Sequence, residues 1–283
     1  ALLGSRGNAH WQVKGGSHCP VIWRFAIWYW VLSVTATEPF SSFAAIPSGK
    51  QLKRKEKCEM KGTRHNGRSG KNGVYNPLHN DRRFNPEHSE HIDNERVRQN
   101  IYWDCYQGYT TMEDQRKEDN FSFEQIELAF YEEHYGNYVM KQNERHVKAR
   151  HPDRCKEVED VWKNKKTCPE ESIYQLGTID EHASVELLVL VFDEFKKEFD
   201  ERFGSNVHII DWSLHMDEAT PHIHERHVFD ATNQYGEIEP KQEAALKELG
   251  FELPNSEKKR SKTNNRKVVF DSACRTMLLD ICK

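Results

Sequence analysis

Hydrophobic alternation is clearest between Val207 and Leu214. There Ile210, Trp212 and Leu214 fall on one side of an extended chain and Asp211, Ser213 and His215 on the other, the period of a half-buried strand. His222 and His224, two apart around Ile223, share a face of a second extended run. The turn residues from Asp217 to Pro221 predict that this run folds back beside the first. Upstream, Phe121 to Arg150 reads as helical, with Ser122 and Gln125 in capping-box spacing and Phe123, Ile126 and Phe130 along one face. A helical stripe of Val185, Leu188, Val189, Phe192, Phe195, Phe199 and Phe203 is closed by Gly204. Ser172 to Leu176 is a short strand, Lys241 to Leu249 a short helix ended by Gly250, and Phe270 to Cys282 a further helix. Elements in this order predict an α+β fold, an antiparallel sheet with helices packed on one face and the other face left open for substrate.

The chemistry concentrates where the two runs meet. His215-Met216-Asp217-Glu218-Ala219-Thr220-Pro221-His222-Ile223-His224 sets three imidazoles and two carboxylates around a turn. Neutral imidazoles suit Zn, Mn, Fe, Ni or Cu, and three of them leave coordination positions for water or substrate, as a catalytic site requires. A closed structural zinc site would use cysteine, and no CxxC pair occurs. The competing reading is a histidine-rich surface hairpin in a chain that has 15 histidines.

This segment fits HxDExTPHxH, and so resembles the signature of MobV-type plasmid mobilization relaxases, the Pre/Mob plasmid recombination enzymes. Leu78-His79-Asn80-Asp81-Arg82-Arg83-Phe84 looks like that family's HNxR element, and Asn100-Ile101-Tyr102-Trp103 matches a third motif through Asn100 and an aromatic neighbour. The resemblance spans about Met60 to Lys283. It implies an HUH relaxase-like fold and an endonuclease that nicks one strand at a plasmid transfer origin and stays bound to the 5′ phosphate. It makes His79 the nucleophile in place of tyrosine. His215, His222 and His224 become ligands of a divalent ion, Mn or Mg first, with Zn or Ni also suited. Arg82, three residues beyond His79, would share its face on a helix and bring a guanidinium to the attacked phosphate. Glu218 is placed to orient a ligand imidazole or move a proton, with Asp217 the weaker candidate. Arg83, Asn100 and Arg226 are assigned to DNA contact. After His224 the run Glu225-Arg226-His227-Val228 is more polar than in many members, which suggests a bulge or altered sheet edge, with His227 off the ligand face.

Charge qualifies the choice of partner. The net charge of -4 and pI near 6.5 count mildly against a dedicated nucleic-acid binder. The distribution is uneven, however: Lys50 to Arg83 holds eleven basic residues against three acids, and Lys258, Lys259, Arg260, Lys262, Arg266 and Lys267 face only Glu257. Either cluster fits a phosphate backbone or a solvated loop. Expected partners are single-stranded or supercoiled plasmid DNA at a transfer origin, a coupling protein, and a second copy joined through a C-terminal region beyond Lys283. The chain is accordingly read as a C-terminally truncated catalytic domain, 60–283.

Residues 1–59 look foreign to the rest. They carry Trp11, Trp23, Trp28 and Trp30 and an apolar run from Phe25 to Ala36 that has the length of a leader and is short for a bilayer span. The chain starts at Ala1, and Met60 lies about as far before His79 as family starts lie before their first motif. Residues 1–59 are therefore read as a non-native extension, with a membrane anchor as the alternative; membrane association is not expected for 60–283. Seven cysteines without framework spacing fit a reducing cytoplasm. Two other function classes stay open: a metallohydrolase in which metal-activated water attacks, and a DNA-binding replication module that does not nick.

Overall fold

A computed structural model of the chain describes residues 61–66, 77–83, 92–112, 117 and 120–283. The 1–59 extension, its apolar run, and the basic stretch from Lys50 apart from 61–66 and 77–83 lie outside the described residues. No described helix is long and apolar enough to cross a membrane.

The α+β class is as expected. Strands β1 (Gly62–Asn66), β2 (Ile101–Asp104), β3 (Gly108–Thr111), β4 (Glu170–Leu176), β5 (Val207–His215) and β6 (His222–Thr232) join in the order β1-β4-β6-β5-β2-β3, and β7 (Ile238–Pro240) pairs with β6. All these pairings are antiparallel. The helices are α1 (Pro77–Asn80), α2 (Phe123–Lys148), α3 (Val158–Lys163), α4 (Val185–Phe203), α5 (Gln242–Glu248) and α6 (Arg266–Ile281). The predicted capping box opens α2, with Ser122 Oγ accepting from Gln125 N at 3.2 Å and Gln125 Oε1 accepting from Ser122 N at 2.8 Å. Helix α6 starts four residues earlier than the apolar pattern suggests, because Asn265 accepts from Val268 N and caps it.

One face of the sheet carries the aromatic stripe. Phe192, Phe195, Phe199 and Phe203 of α4, with Phe270 of α6, pack on Tyr174, Trp212, Leu214, Ile223 and Phe229. Each fully buried phenylalanine there contributes about 2 kcal/mol. The other face is less open than the patterning implied. Helix α2 lays Ile126, Phe130, Tyr131, Tyr135 and Val139 over Ile210 and Val228, with Val161 and Trp162 of α3 alongside.

Ile210 shows why. The uninterrupted alternation expected along β5 breaks once, since Ile209 pairs with His227 and Asp211 with Arg226, leaving Ile210 as an extra residue. The bulge turns Ile210 toward α2, away from Trp212 and Leu214. One strand thus serves two helical layers. Beyond the bulge the regular alternation resumes, which sends Ser213 and His215 to the α2 side.

Beneath α2 lies a buried charged group. Arg226 donates to Glu127 at 3.1 Å, and Trp162 donates to the other Glu127 oxygen at 2.8 Å. Both Asp211 oxygens are buried without a donor. Burial first, then the Glu127 charge, push the Asp211 carboxyl well above its usual range, and burial raises that of Glu127 as well. An acid with a raised folded pKa contributes its full stability below the unfolded pKa of about 4 and loses it as pH rises toward the folded value. Asp211→Asn is therefore expected to change little at pH 4 and to stabilise by on the order of 1 kcal/mol at pH 8, as urea denaturation at the two pH values will show.

The basic clusters are not the uniform tracks their composition suggested. Arg64 is buried and pairs with Asp271 at 3.0 Å. Arg266 pairs with Glu243 at 2.5 Å, Arg260 with the same carboxylate at 2.8 Å, and Lys267 with Asp271 at 2.5 Å. Lys258, Lys259 and Lys262 stand exposed on a loop stitched together by the buried Asn264, which donates to the Asn255, Lys258 and Lys259 carbonyls.

Candidate metal centre

The ends of β5 and β6 create the site. His215 sits directly opposite His222 in the ladder, and Ser213 opposite His224. Pro221, which lacks an N–H, precedes the first residue of β6 and lets the turn close just before the ladder begins. Ring centroids are 5.5 Å apart for His215 and His222, 4.7 Å for His215 and His224, and 4.9 Å for His222 and His224. The three rings expected as ligands are neighbours, but among the described residues each set whose ligand atoms all lie within 4.8 Å of one another holds His215 with only one of the other two.

Their outer nitrogens are fixed by acceptors. His222 Nδ1 donates to the Thr220 carbonyl at 2.7 Å, His224 Nδ1 to Glu171 at 2.5 Å, and His215 Nε2 to the Asn80 carbonyl at 2.9 Å. Partners of this kind set the tautomer of a ligand imidazole. What remains faces inward: His222 Nε2 and His224 Nε2 lie 3.0 Å apart, and His215 Nδ1 is buried with no hydrogen-bond partner among the described residues. Nitrogen lone pairs turned toward one another, one of them buried and orphaned, fit a cation. Burial, then the neighbouring His224, lower the proton affinity of both His215 and His222, which keeps these rings neutral.

Two further groups reach the same space. His79 and Glu218 complete overlapping sets, His79 with His215 and His224, and Glu218 with His215 and His222, each with its ligand atoms within 4.8 Å of one another. His79 stands 5.4 Å, centroid to centroid, from both His215 and His224. Burial, Arg82 and His224 together lower its pKa to about 4, so at neutral pH the ring is uncharged. Glu218 lies 3.5 Å from His79 Nε2, 3.7 Å from His215 Nδ1 and 3.7 Å from His222 Nε2. Burial alone would raise its carboxyl, but His222 and Arg82 outweigh that and hold it below its usual range.

Three of these residues are placed otherwise than expected. The helix carrying His79 ends at Asn80, so Arg82 does not share a helical face with it; Arg82 turns back at φ 54 with a fully buried side chain. Asn100 is also buried, with its amide committed at both ends: Nδ2 donates to Asp217 at 2.8 Å and Oδ1 accepts from Met216 N at 2.8 Å. Arg226 lies under α2 against Glu127 and presents nothing to DNA. Arg83 keeps a partly exposed side chain that donates to the Asn120 carbonyl at 2.8 Å. His227 faces the aromatic side, near Phe199 and Phe229, and pairs with Glu225 at 2.8 Å.

Sequence reasoning missed Glu171 and the Asn80 carbonyl. A carboxylate that begins a strand reads as a solvated end until β4 is known to pair with β6, which brings Glu171 opposite Arg226 and beside His224. A backbone carbonyl has no signature at all.

No protein-family model matches the chain, and no curated protein matches it. Two solved structures are similar, both described as a MobM relaxase domain (MOBV; Mob_Pre) bound to plasmid pMV158 oriT DNA with Mn. One is 20% identical over 60% of this chain and 70% of that one, at a TM-score of 0.34. The other is 19% identical over 75% of this chain and 98% of that one, at 0.38. At these values the likeness assigns neither activity nor residue roles.

Proposed function

We propose that the protein is a divalent-metal-dependent DNA strand transferase of the relaxase type, in which His79 attacks a phosphodiester and remains joined to the 5′ phosphate. The observation that carries this reading is the convergence of a neutral, part-exposed His79 with three imidazoles from β5 and β6, whose buried His215 Nδ1 has no hydrogen-bond partner among the described residues. His215, His222 and His224 hold the ion, with Mn and Mg the first candidates. When bound, the ion polarises the non-bridging oxygens of the scissile phosphate and fixes its orientation.

The chain's own residues do the rest. A ring nitrogen of His79 forms a bond to phosphorus as the bond from phosphorus to the 3′ oxygen breaks, giving a phosphoramidate and a 3′ hydroxyl. Attack through Nδ1 leaves a proton on Nε2; Glu218 at 3.5 Å takes it and gives it to the leaving 3′ oxygen, which departs as the hydroxyl. Single-stranded or locally melted plasmid DNA at a transfer origin is the substrate class, the cytoplasm the expected compartment, and a second copy and a coupling protein are the further partners of this reading.

The test is to incubate the full chain with single-stranded oligonucleotides tiled across candidate transfer origins, with Mn or with chelator. Relaxase chemistry is expected to give metal-dependent cleavage and an acid-labile adduct that maps to the peptide containing His79. Cleavage with no adduct would make water the nucleophile and the protein a metallohydrolase. Salt-sensitive binding of every origin tested, with no cleavage, would select the non-nicking DNA-binding module.

A further inference from the structure

Arg82 is the most constrained residue near the site. Its backbone sits at φ 54, a left-handed conformation that a non-glycine residue holds only when its surroundings impose it. Its guanidinium is fully buried. Nε donates to Asp217 Oδ2 at 2.9 Å and Nη2 to Asp217 Oδ1 at 2.8 Å, a two-pronged pair, while Nη2 also donates to Glu218 Oε1 at 2.7 Å. Nη1 donates to the His79 carbonyl at 2.7 Å and lies 3.4 Å from the His79 ring nitrogens. An arginine has five N–H bonds to give. All five are directed at protein, so none is left for a phosphate.

Asp217 is anchored in turn. Asn100 Nδ2 donates to Asp217 Oδ2 at 2.8 Å, and the Asp217 carbonyl accepts from Asp93 N at 2.7 Å. Asn100 also receives Met216 N, so the turn between β5 and β6 is tied to the strand β2 entry on one side and to Arg82 on the other.

We infer that Asp217 is the positioning residue of this site: acting through Arg82, it seats the His79 turn on the histidine ends of β5 and β6 and limits the hold of Arg82 on Glu218. The inference rests on the reading of His79 as nucleophile. Asp217 takes two guanidinium donors and Glu218 one. Without the Asp217 charge, Arg82 pairs fully with Glu218, pulls that carboxylate from the imidazoles, and releases the turn that carries His79. Asn80 supplies a second tether, donating to Glu171 at 3.2 Å while its carbonyl receives His215 Nε2, so the turn loosens without leaving the site.

The test compares wild type with Asp217→Asn, which keeps the shape of the side chain and removes its charge. The expected result is a single-turnover cleavage rate reduced about 100-fold, with Kd for Mn and for the oligonucleotide within about threefold of wild type. Amide hydrogen exchange is expected to quicken about tenfold in peptides covering residues 77–83 and to stay unchanged in peptides from β6. Wild-type exchange at 77–83 would overturn the inference, as would a loss of Mn affinity in step with the rate, which would mean that Asp217 acts through the metal. Should wild type leave every oligonucleotide uncut, the nucleophile reading fails, and the exchange and Mn measurements still decide whether Asp217 holds the turn. If Asp217→Asn does not fold, Asn100→Ala removes one donor to Asp217 and leaves the ion pair; it is expected to show the same pattern with a rate loss of about tenfold, and wild-type exchange at 77–83 in that variant counts against the inference.

Discussion

His79→Ala is expected to lower DNA strand cleavage by at least about 1,000-fold and to abolish the covalent adduct, while Mn affinity stays within a few-fold of wild type. The two halves of this prediction separate the roles that the geometry offers His79. Its ring can contribute a nitrogen to a set with His215 and His224, and an equivalent set excludes it in favour of Glu218 and His222. A ligand would be missed in a calorimetric Mn titration, with affinity falling by tenfold or more. A nucleophile would be missed only when DNA is present. The part-exposed His79 ring, against a fully buried His215, matches a group that must meet substrate. Its lowered pKa of about 4 also predicts that wild-type cleavage does not fall from pH 8 to pH 6 through protonation of this ring, and that it declines near pH 4.

Arg226→Met is expected to cost about 3–5 kcal/mol of stability at pH 7.5. Methionine fills most of the volume, so the cost is electrostatic. Arg226 and Glu127 are both fully buried, with Asp211 beside them. In wild type the Arg226 charge lowers both carboxyls against the burial that raises them. Without the guanidinium both carboxyls must be protonated in the folded state, whereas the unfolded chain ionises both. The folded protein then binds about two more protons than the unfolded one between pH 5 and 7.5, so the deficit grows with pH. Denaturant midpoints at pH 5 and 7.5 will test this. An equal loss at the two values would point to packing. Asp211→Asn in the Arg226→Met background is expected to recover part of the loss at pH 7.5 only.

The elements legible in the sequence were those in which one face was apolar throughout. The phenylalanine stripe of α4, the capping box of α2, and β5 beyond its bulge show a pattern that survives without knowledge of their neighbours. Strand β1 does not. Thr63-Arg64-His65 reads as a solvated basic run, yet Arg64 is buried because Asp271, 207 residues away, and the Tyr174 hydroxyl receive it. The same blindness misassigned Arg226 and Asn100. A polar side chain can be placed only when its partner is known, and the partners here come from α2 and from the turn after β5. For the site, the residues carrying lone pairs were readable from spacing, and those that aim them, Glu171 and the Asn80 carbonyl, were not. The bulge at Ile210 misled the alternation for another reason: an isoleucine fits either layer, so composition is silent about which side it takes.

His79 precedes His215, His222 and His224 by well over a hundred residues in the chain. Contacts of such separation form late. A ribosome-bound chain that has released the 77–83 segment, but not yet β5 and β6, therefore carries His79 without the imidazoles that surround it in the folded protein. On the proposed function, synthesis order would act as a safety catch, since a copy without β5 and β6 has no site with which to cut.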